Sequence, residues 1–341
     1  MEEVRPTIKG KLILGSPSDR GWLLLLMRNF KDAIEYAHSL MKEGLSHAKI
    51  VKLLTSRILN NAHYSHSALQ RAKLYKEQPY LKLKKPQLFS VGKRCEKGNR
   101  NIRFLSTDAV NIKVPSAIGR HKWLVVKVRF GERYIQIIEQ LINSKFPYGA
   151  GIYLKGERFE LHVSVPMELY RKYLNKVSRF YVPCGHIASF DFNPDRANMV
   201  IVDREGNLLD AKTEYFPEVT SQGFPKEKGR DVRMKVLVRL VDYAHHHGVT
   251  DYIIERLSKP KTKTASKVAN RKIANFALHE YVEHMRTLIP RYSGRLHVVG
   301  SIYASMDAIP LSKKLGLDIH TTSAYLLAIR SLKSVNGHQC L

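Results

Sequence analysis

The chain has 341 residues with 57 Lys and Arg against 30 Asp and Glu, a formal net charge of +27 that favours a polyanionic partner, nucleic acid first among them. Hydrophobic residues at 44% with 26% charged exclude a disordered polycation, and about two domains are expected at this length. Cys95, Cys184 and Cys340 are too scattered for a disulfide framework or a paired-cysteine zinc site, and no apolar run approaches a membrane span or signal peptide.

Thr7–Leu14 alternates and predicts a strand. Ser16-Pro17-Ser18-Asp19 supplies helix-cap chemistry, and an amphipathic pattern runs from there to about Glu43. Helical patterns at about Ser46–Leu59 and Ser65–Glu77 complete an α-helical insert. From Gln87 the period changes to two: FSV, NIRFL, AVNIKV and KWLVVKVRF predict strands, a helix near Arg133–Asn143 interrupts them, and a hairpin turns at Lys155-Gly156-Glu157-Arg158. The expected N-terminal fold is a β-barrel-like module over 1–15 and 83–182 with a helical insertion over 16–82.

A second unit is expected over 183–341. HIASFDFNP, ANMVIVD and NLLDAKT predict three successive strands. A helix at about Asp231–His247, a strand at Asp251–Glu255, a basic helical stretch at about Thr264–Leu288, a strand at Leu296–Val299 and a final helix at about Asp318–Leu332 follow. That order is the order of a ribonuclease H-like α/β domain.

Three acids in this unit sit at informative places. Asp191 stands mid-strand among apolar neighbours, where an uncompensated charge is costly. Glu255 ends its strand at the carboxyl edge, where α/β sheets bind ligands, with a solvated strand end as the weaker alternative. Asp318 opens the final helix and equally reads as a helix cap. If the topology brings them together, their repulsion calls for a divalent cation, and hard carboxylate oxygens suit Mg²⁺, with Mn²⁺ a possible substitute, in a two-metal site.

The basic run Lys259, Lys261, Lys263, Lys267, Arg271 and Lys272 follows Glu255 directly and suits a phosphate backbone entering the site. The cluster Lys93, Arg94, Lys97, Arg100 and Arg103, with Tyr75, Tyr80 and Phe89 nearby, suits phosphates with bases stacked between them, although the aromatics equally suit a core. His245-His246-His247 resembles a metal site, but consecutive helical residues point to different faces, which favours a polar helix end before Gly248.

At these acids the sequence resembles the TnpB family, RNA-guided nucleases of insertion sequences related to type V CRISPR effectors. Ile187-Ala188-Ser189-Phe190-Asp191-Phe192-Asn193-Pro194, Ile253-Ile254-Glu255-Arg256-Leu257 and Leu317-Asp318-Ile319-His320-Thr321-Thr322-Ser323-Ala324 look like the family's three RuvC segments. The resemblance implies Asp191, Glu255 and Asp318 as catalytic and metal-binding residues, a wedge and recognition lobe before residue 183, guide RNA and target DNA as partners, and no small-molecule cofactor or membrane. It implies a prokaryotic, cytoplasmic, nucleoid-associated enzyme hydrolysing phosphodiesters. Residues 256–317 hold no cysteine, so the family's zinc ribbon and structural zinc are not expected. The stretch from Val298 to Ser305 matches the family's P-x-Y-T-S pattern only in part. Two alternatives stay open: a catalytically weak or inactive RNA-guided DNA-binding regulator, and a stand-alone ribonuclease H-like resolvase.

Overall fold

The computed structural model describes residues 5–93, 98–116, 122–144, 146–178, 180–256, 266, 278–300 and 304–336. The chain divides into two compact units, Met1–Leu174 and Asn175–Leu341. Lys176 and Tyr181 go with the second unit because their bonds lie there: Lys176 N donates to Arg291 O at 2.7 Å, and Tyr181 Oη donates to Val249 O at 3.0 Å.

In the first unit, β1 (Thr7–Ile13) leads into three helices: α1 (Pro17–Lys42), α2 (His47–Leu54) and, after a π turn at Thr55–Leu59, α3 (Ala62–Lys73). Ser16 caps α1 by accepting from Asp19 N, and Pro17 occupies the first turn, where its missing N–H costs nothing. Leu23, Leu26, Met27, Phe30, Ala33, Ile34 and Ala37, spaced three and four apart, bury one face of α1. Asn60, at φ +44°, ends the π turn in the left-handed region.

The strands follow: β2 (Gln87–Ser90), β3 (Gly92–Lys93), β4 (Gly98–Asn99), β5 (Ile102–Ser106), β6 (Ala109–Val114), β7 (Lys122–Phe130), β8 (Gly149–Lys155) and β9 (Arg158–Ser164). Helix α4 (Ile135–Asn143) falls between β7 and β8, and α5 (Met167–Tyr173) after β9. Six of them and β1 form one sheet in the order β2-β8-β9-β1-β7-β6-β5, every pair antiparallel. β8 and β9 meet across the two-residue turn Gly156-Glu157, with Gly156 at φ +60° as such a turn demands.

The expected β-barrel is corrected here: among the described residues no strand pairing joins β2 to β5, so the sheet is open. Side chains bridge the gap instead. The buried Asn99 side chain donates to Ser90 O and Tyr148 O, both at 3.0 Å, and accepts from Asn101 N and Ile102 N. Tyr148 Oη donates to Ile102 O and accepts from Phe104 N, both at 3.1 Å. These bonds use the edge groups that a closing ladder would need.

In the second unit, β10 (His186–Phe192), β11 (Arg196–Val202), β12 (Leu208–Tyr215), α6 (Lys226–His246), β13 (Val249–Glu255), α7 (Leu278–Leu288), β14 (Arg295–Val299), α8 (Ala304–Leu315) and α9 (Ile319–Asn336) follow in order. The sheet order is β12-β11-β10-β13-β14, antiparallel through β12-β11-β10 and parallel through β10-β13-β14. This is the strand order expected of a ribonuclease H-like α/β unit.

Its two faces carry separate cores. Phe190, Met199, Ile254 and Tyr252 pack with Leu237, Leu240 and Met285 of α6 and α7. Ile187, Val200, Val202 and Ile253 pack with Ala324, Leu327 and Ala328 of α9. Helix α8 has no counterpart in the sequence reading, because Pro310 lies inside it and hides the helical signal.

Candidate active site

Strand alternation decides where the acids go. Phe190 and Ile254, partners in the parallel β10–β13 register, both belong to the core under α6 and α7. The next residues along, Asp191 and Glu255, therefore face the other way, toward α9, side by side at the carboxyl ends of adjacent parallel strands. Asp191 pairs across β10–β11 with Asn198, placing that amide on the same face.

Helix α9 enters from Asp318. Asp318 Oδ1 accepts from His320 N at 3.0 Å and Thr321 N at 3.2 Å, the geometry of a helix cap, and Thr321 Oγ1 donates to Oδ2. Asn198 Nδ2 donates to Thr321 Oγ1 at 3.2 Å and to Thr213 Oγ1 at 2.7 Å, so β11, β12 and the helix start are tied through one amide. Two residues beyond the cap, His320 reaches back over the sheet: its Nδ1 lies 3.1 Å from Asp191 Oδ2, which also accepts from Asn193 Nδ2 at 2.8 Å. Asp191 and Asp318 are thus linked through His320, and Glu255 is the register neighbour of Asp191.

The electrostatics follow from these contacts. The bond to Asp191 raises the His320 pKa, although burial opposes it. Burial would raise the Asp318 pKa, but the bonds from Thr321 and His320 outweigh it and hold the carboxyl below its ordinary range. Arg196, on the same face, is held by Asp195 at 3.1 Å and lies over Tyr215, with its centre 5.2 Å from the ring centroid.

Among the described residues no three His, Cys, Asp or Glu side chains stand together as a ready metal cluster. The donor chemistry nonetheless fits a hard cation: three carboxylates, and beside Asp191 the buried Asn198 Oδ1, which has no hydrogen-bond partner. The sequence assigns no role to His320, Asn193, Asn198 or Thr321. His320 and Thr321 stand inside the segment carrying Asp318, but nothing local marks them as partners of residues 129 and 123 positions away.

Of the expected nucleic-acid contacts, Lys259, Lys261, Lys263, Lys267, Arg271, Lys272, Arg94 and Lys97 lie outside the described residues. Lys93 is exposed on β3. Arg100 Nη1 lies 2.6 Å from His63 Nδ1 and 2.8 Å from Nε2. Arg103 donates to Asn99 O at 3.2 Å and sits 4.9 Å from the Trp123 ring centroid, so part of its surface serves the fold. The three consecutive histidines diverge as expected: His245 stacks on Tyr181 at 3.8 Å, while His246 and His247 bond to carbonyls of their own helix. No helix among the described residues is long and apolar enough to cross a membrane.

These features define a chain of two α/β units, the second with a mixed five-stranded sheet carrying paired carboxylates at its parallel strand ends. The family described as the SSO2105 N-terminal domain matches residues 5–175, half of the chain, and the chain belongs to that family. It is 28% identical to "Uncharacterized protein SSO2105" of Saccharolobus solfataricus over 97% of this chain and 93% of that one. It is 27% identical to an "Uncharacterized protein" of Aeropyrum pernix, over 70% of this chain and 69% of that one. Among solved structures, Thermus thermophilus RuvC bound to a Holliday junction substrate is similar at TM-score 0.30 and 12% identity, over 46% of this chain and 96% of that one. A CRISPR-Cas12f ternary complex is similar at TM-score 0.32 and 12% identity, over 91% and 81%. The matching family is not TnpB.

Proposed function

We propose that the protein is a Mg²⁺-dependent, RNA-guided DNA endonuclease of the TnpB-like kind. The observation that carries this reading is the placement of Asp191 and Glu255 side by side on the α9 face, with Asp318 opening that helix and His320 linking the two segments. Asp191, Glu255 and Asp318 would hold Mg²⁺. When bound, the ion supplies charge neutralisation on the phosphodiester and a lowered pKa for the attacking water. The chain's own groups have separate parts. His320 and Asn193 orient the Asp191 carboxylate, Thr321 and the helix cap orient Asp318, and Arg196 adds positive charge where phosphate oxygens would approach. The overall charge of +27 suits RNA and DNA partners.

The test is cleavage of target DNA with Mg²⁺ and the RNA that co-purifies with the protein. The double substitution Asp191→Asn, Glu255→Gln should reduce cleavage by about a hundredfold or more while leaving RNA binding intact. Cleavage at the parental rate would overturn the active-site assignment, and a purified protein that carries no discrete RNA would overturn guidance.

A second reading has its own support. Both oxygens of Asp318 are already committed to capping α9, as they would be in a regulator that binds guide and target without turnover. The same assay separates the two, because that regulator retains binding and shows no cleavage at any Mg²⁺ concentration.

A further inference from the structure

The first unit contains a groove that the acids of the second unit leave unexplained. A cavity of about 660 Å³ opens between α2, the π turn and α3, with Ala48, Val51 and Leu69 as floor and Lys52 and Lys73 at its rim. A second, of about 400 Å³, is lined by His63, Ser67, Lys93 and Arg100. A third, of about 460 Å³, opens over β8 and β9 and presents Phe89 and Tyr153.

The three adjoin along one helix. His66 lines the first and second cavities, and Gln70 lines the first and third. His63, His66, Gln70 and Lys73 form the exposed stripe of α3, spaced three, four and three apart, and so face one way over roughly 15 Å. No residue lining any of the three cavities is Asp or Glu.

We propose that this groove binds a single strand of nucleic acid, its phosphates on Lys52, Lys73, Lys93 and Arg100 and its bases in the apolar and aromatic pockets. The charge pattern requires a polyanion, and the pockets decide its form. A duplex keeps its bases stacked inside and offers phosphates and groove edges, which would leave the Ala48, Val51 and Leu69 floor against water. An unstacked strand buries base faces there, and π-bearing side chains line the third cavity. The Arg71 guanidinium lies 4.0 Å from the Phe89 ring centroid, and Tyr153 and His162 pack at 4.7 Å. Bare backbone helps at the third cavity, where a Cβ on Gly151 would come within 2.8 Å of the Tyr153 ring. The site does not depend on the nuclease reading, since it asks only for binding.

The experiment uses the full-length protein, stripped of co-purified nucleic acid in high salt. Binding of fluorescein-labelled oligothymidine and oligouridine is followed by anisotropy in EDTA. Lys52→Ala with Lys73→Ala should lower the slope of log affinity against log salt by about 1.4, from roughly 0.7 per phosphate contact on a single strand. Ala48→Trp, which fills the apolar floor from an exposed position, should weaken binding about tenfold, as loss of one stacked base does, with the slope unchanged. A 5-iodouridine strand should photo-crosslink to peptides containing Phe89 or Tyr153.

Parental affinity and slope in the lysine variant, or crosslinks confined to other peptides, would overturn the groove. Tighter binding of a duplex of the same length, or equal binding of polyglutamate, would overturn the single-strand assignment. Because binding is read in EDTA, where no cleavage is measured, failure of the nuclease reading and failure of the groove are read separately.

Discussion

Asp318 serves the fold and the proposed chemistry at once, and substitution separates the two. Asn caps a helix about as well as Asp, so Asp318→Asn should leave stability within about 0.5 kcal/mol of the parent while cleavage falls steeply. Asp318→Ala should lose both the cap, about 1 kcal/mol, and the activity. Thermal melts beside a cleavage assay check this, and equal activity in the Asn variant would reduce Asp318 to a cap. A different carboxylate governs acid stability. Asp251 is fully buried at the opposite end of β13, bonded to Arg204, to Arg295 at 2.8 and 2.9 Å and to His297 at 2.8 Å. Burial would raise its pKa, but the bonds from His297, Arg295, Thr250 and Arg204 outweigh it and hold the group far below 3.8. A folded-state pKa below the unfolded value contributes stability above the unfolded value, and that stability is lost as pH falls below it. Asp251→Asn should cost about 3 kcal/mol or more at neutral pH and flatten the pH dependence below 4. Burial, aided by Arg230 and Arg291, pushes His284 down to about 4 from 6.5. Charging it is unfavourable in the fold, so its contribution is present above 6.5 and lost between 6.5 and 4. His320, raised instead, acts with the opposite sign and weakly, since at 40% exposure solvent screens it.

At the scale of elements, the open edge between β2 and β5 depends on two side chains. Asn99→Ala removes the groups that satisfy Ser90 O, Tyr148 O and two backbone N–H groups at once. It should cost about 3 kcal/mol or more, measured by denaturant unfolding, because those groups are left buried without partners. A loss below about 1 kcal/mol would mean that the edge is held by something else. The failed expectation of a barrel traces to the same place: strand periodicity identifies strands, whereas closure depends on whether the first and last of them pair. Helix boundaries were readable where caps announce them, as at Ser16 and Asp318. The helix Ala304–Leu315, which packs beside α9, was not, because an internal proline erases the local signal.

For the whole molecule, charge and stability are distributed unequally. Residues 1–185 carry an excess of 20 positive charges and residues 186–341 an excess of 7. Asp251 and His284, the groups that make the fold acid-sensitive, both belong to the second unit. Hydrogen exchange on acidification should therefore show protection falling first in β13 and α7, with β1, β7 and β9 unchanged. Uniform loss would mean that the units unfold together. Much of the candidate site was legible without coordinates, because Asp191 interrupts an apolar strand and Glu255 ends one. The partners that orient them were not, since His320 and Asn198 act on residues over a hundred positions away.

The sequence alone determined the strand and helix periods, the helix caps, the excess of positive charge and the three acids, because each is set by neighbours within a few residues or by composition. Tertiary structure alone decided that Asp191 and Glu255 share a face with His320, that the N-terminal sheet stays open, and that residues of α2, α3 and five strands line adjoining cavities without carboxylates. Those outcomes depend on register and on contacts between segments far apart in the chain, and local periodicity carries no information about either.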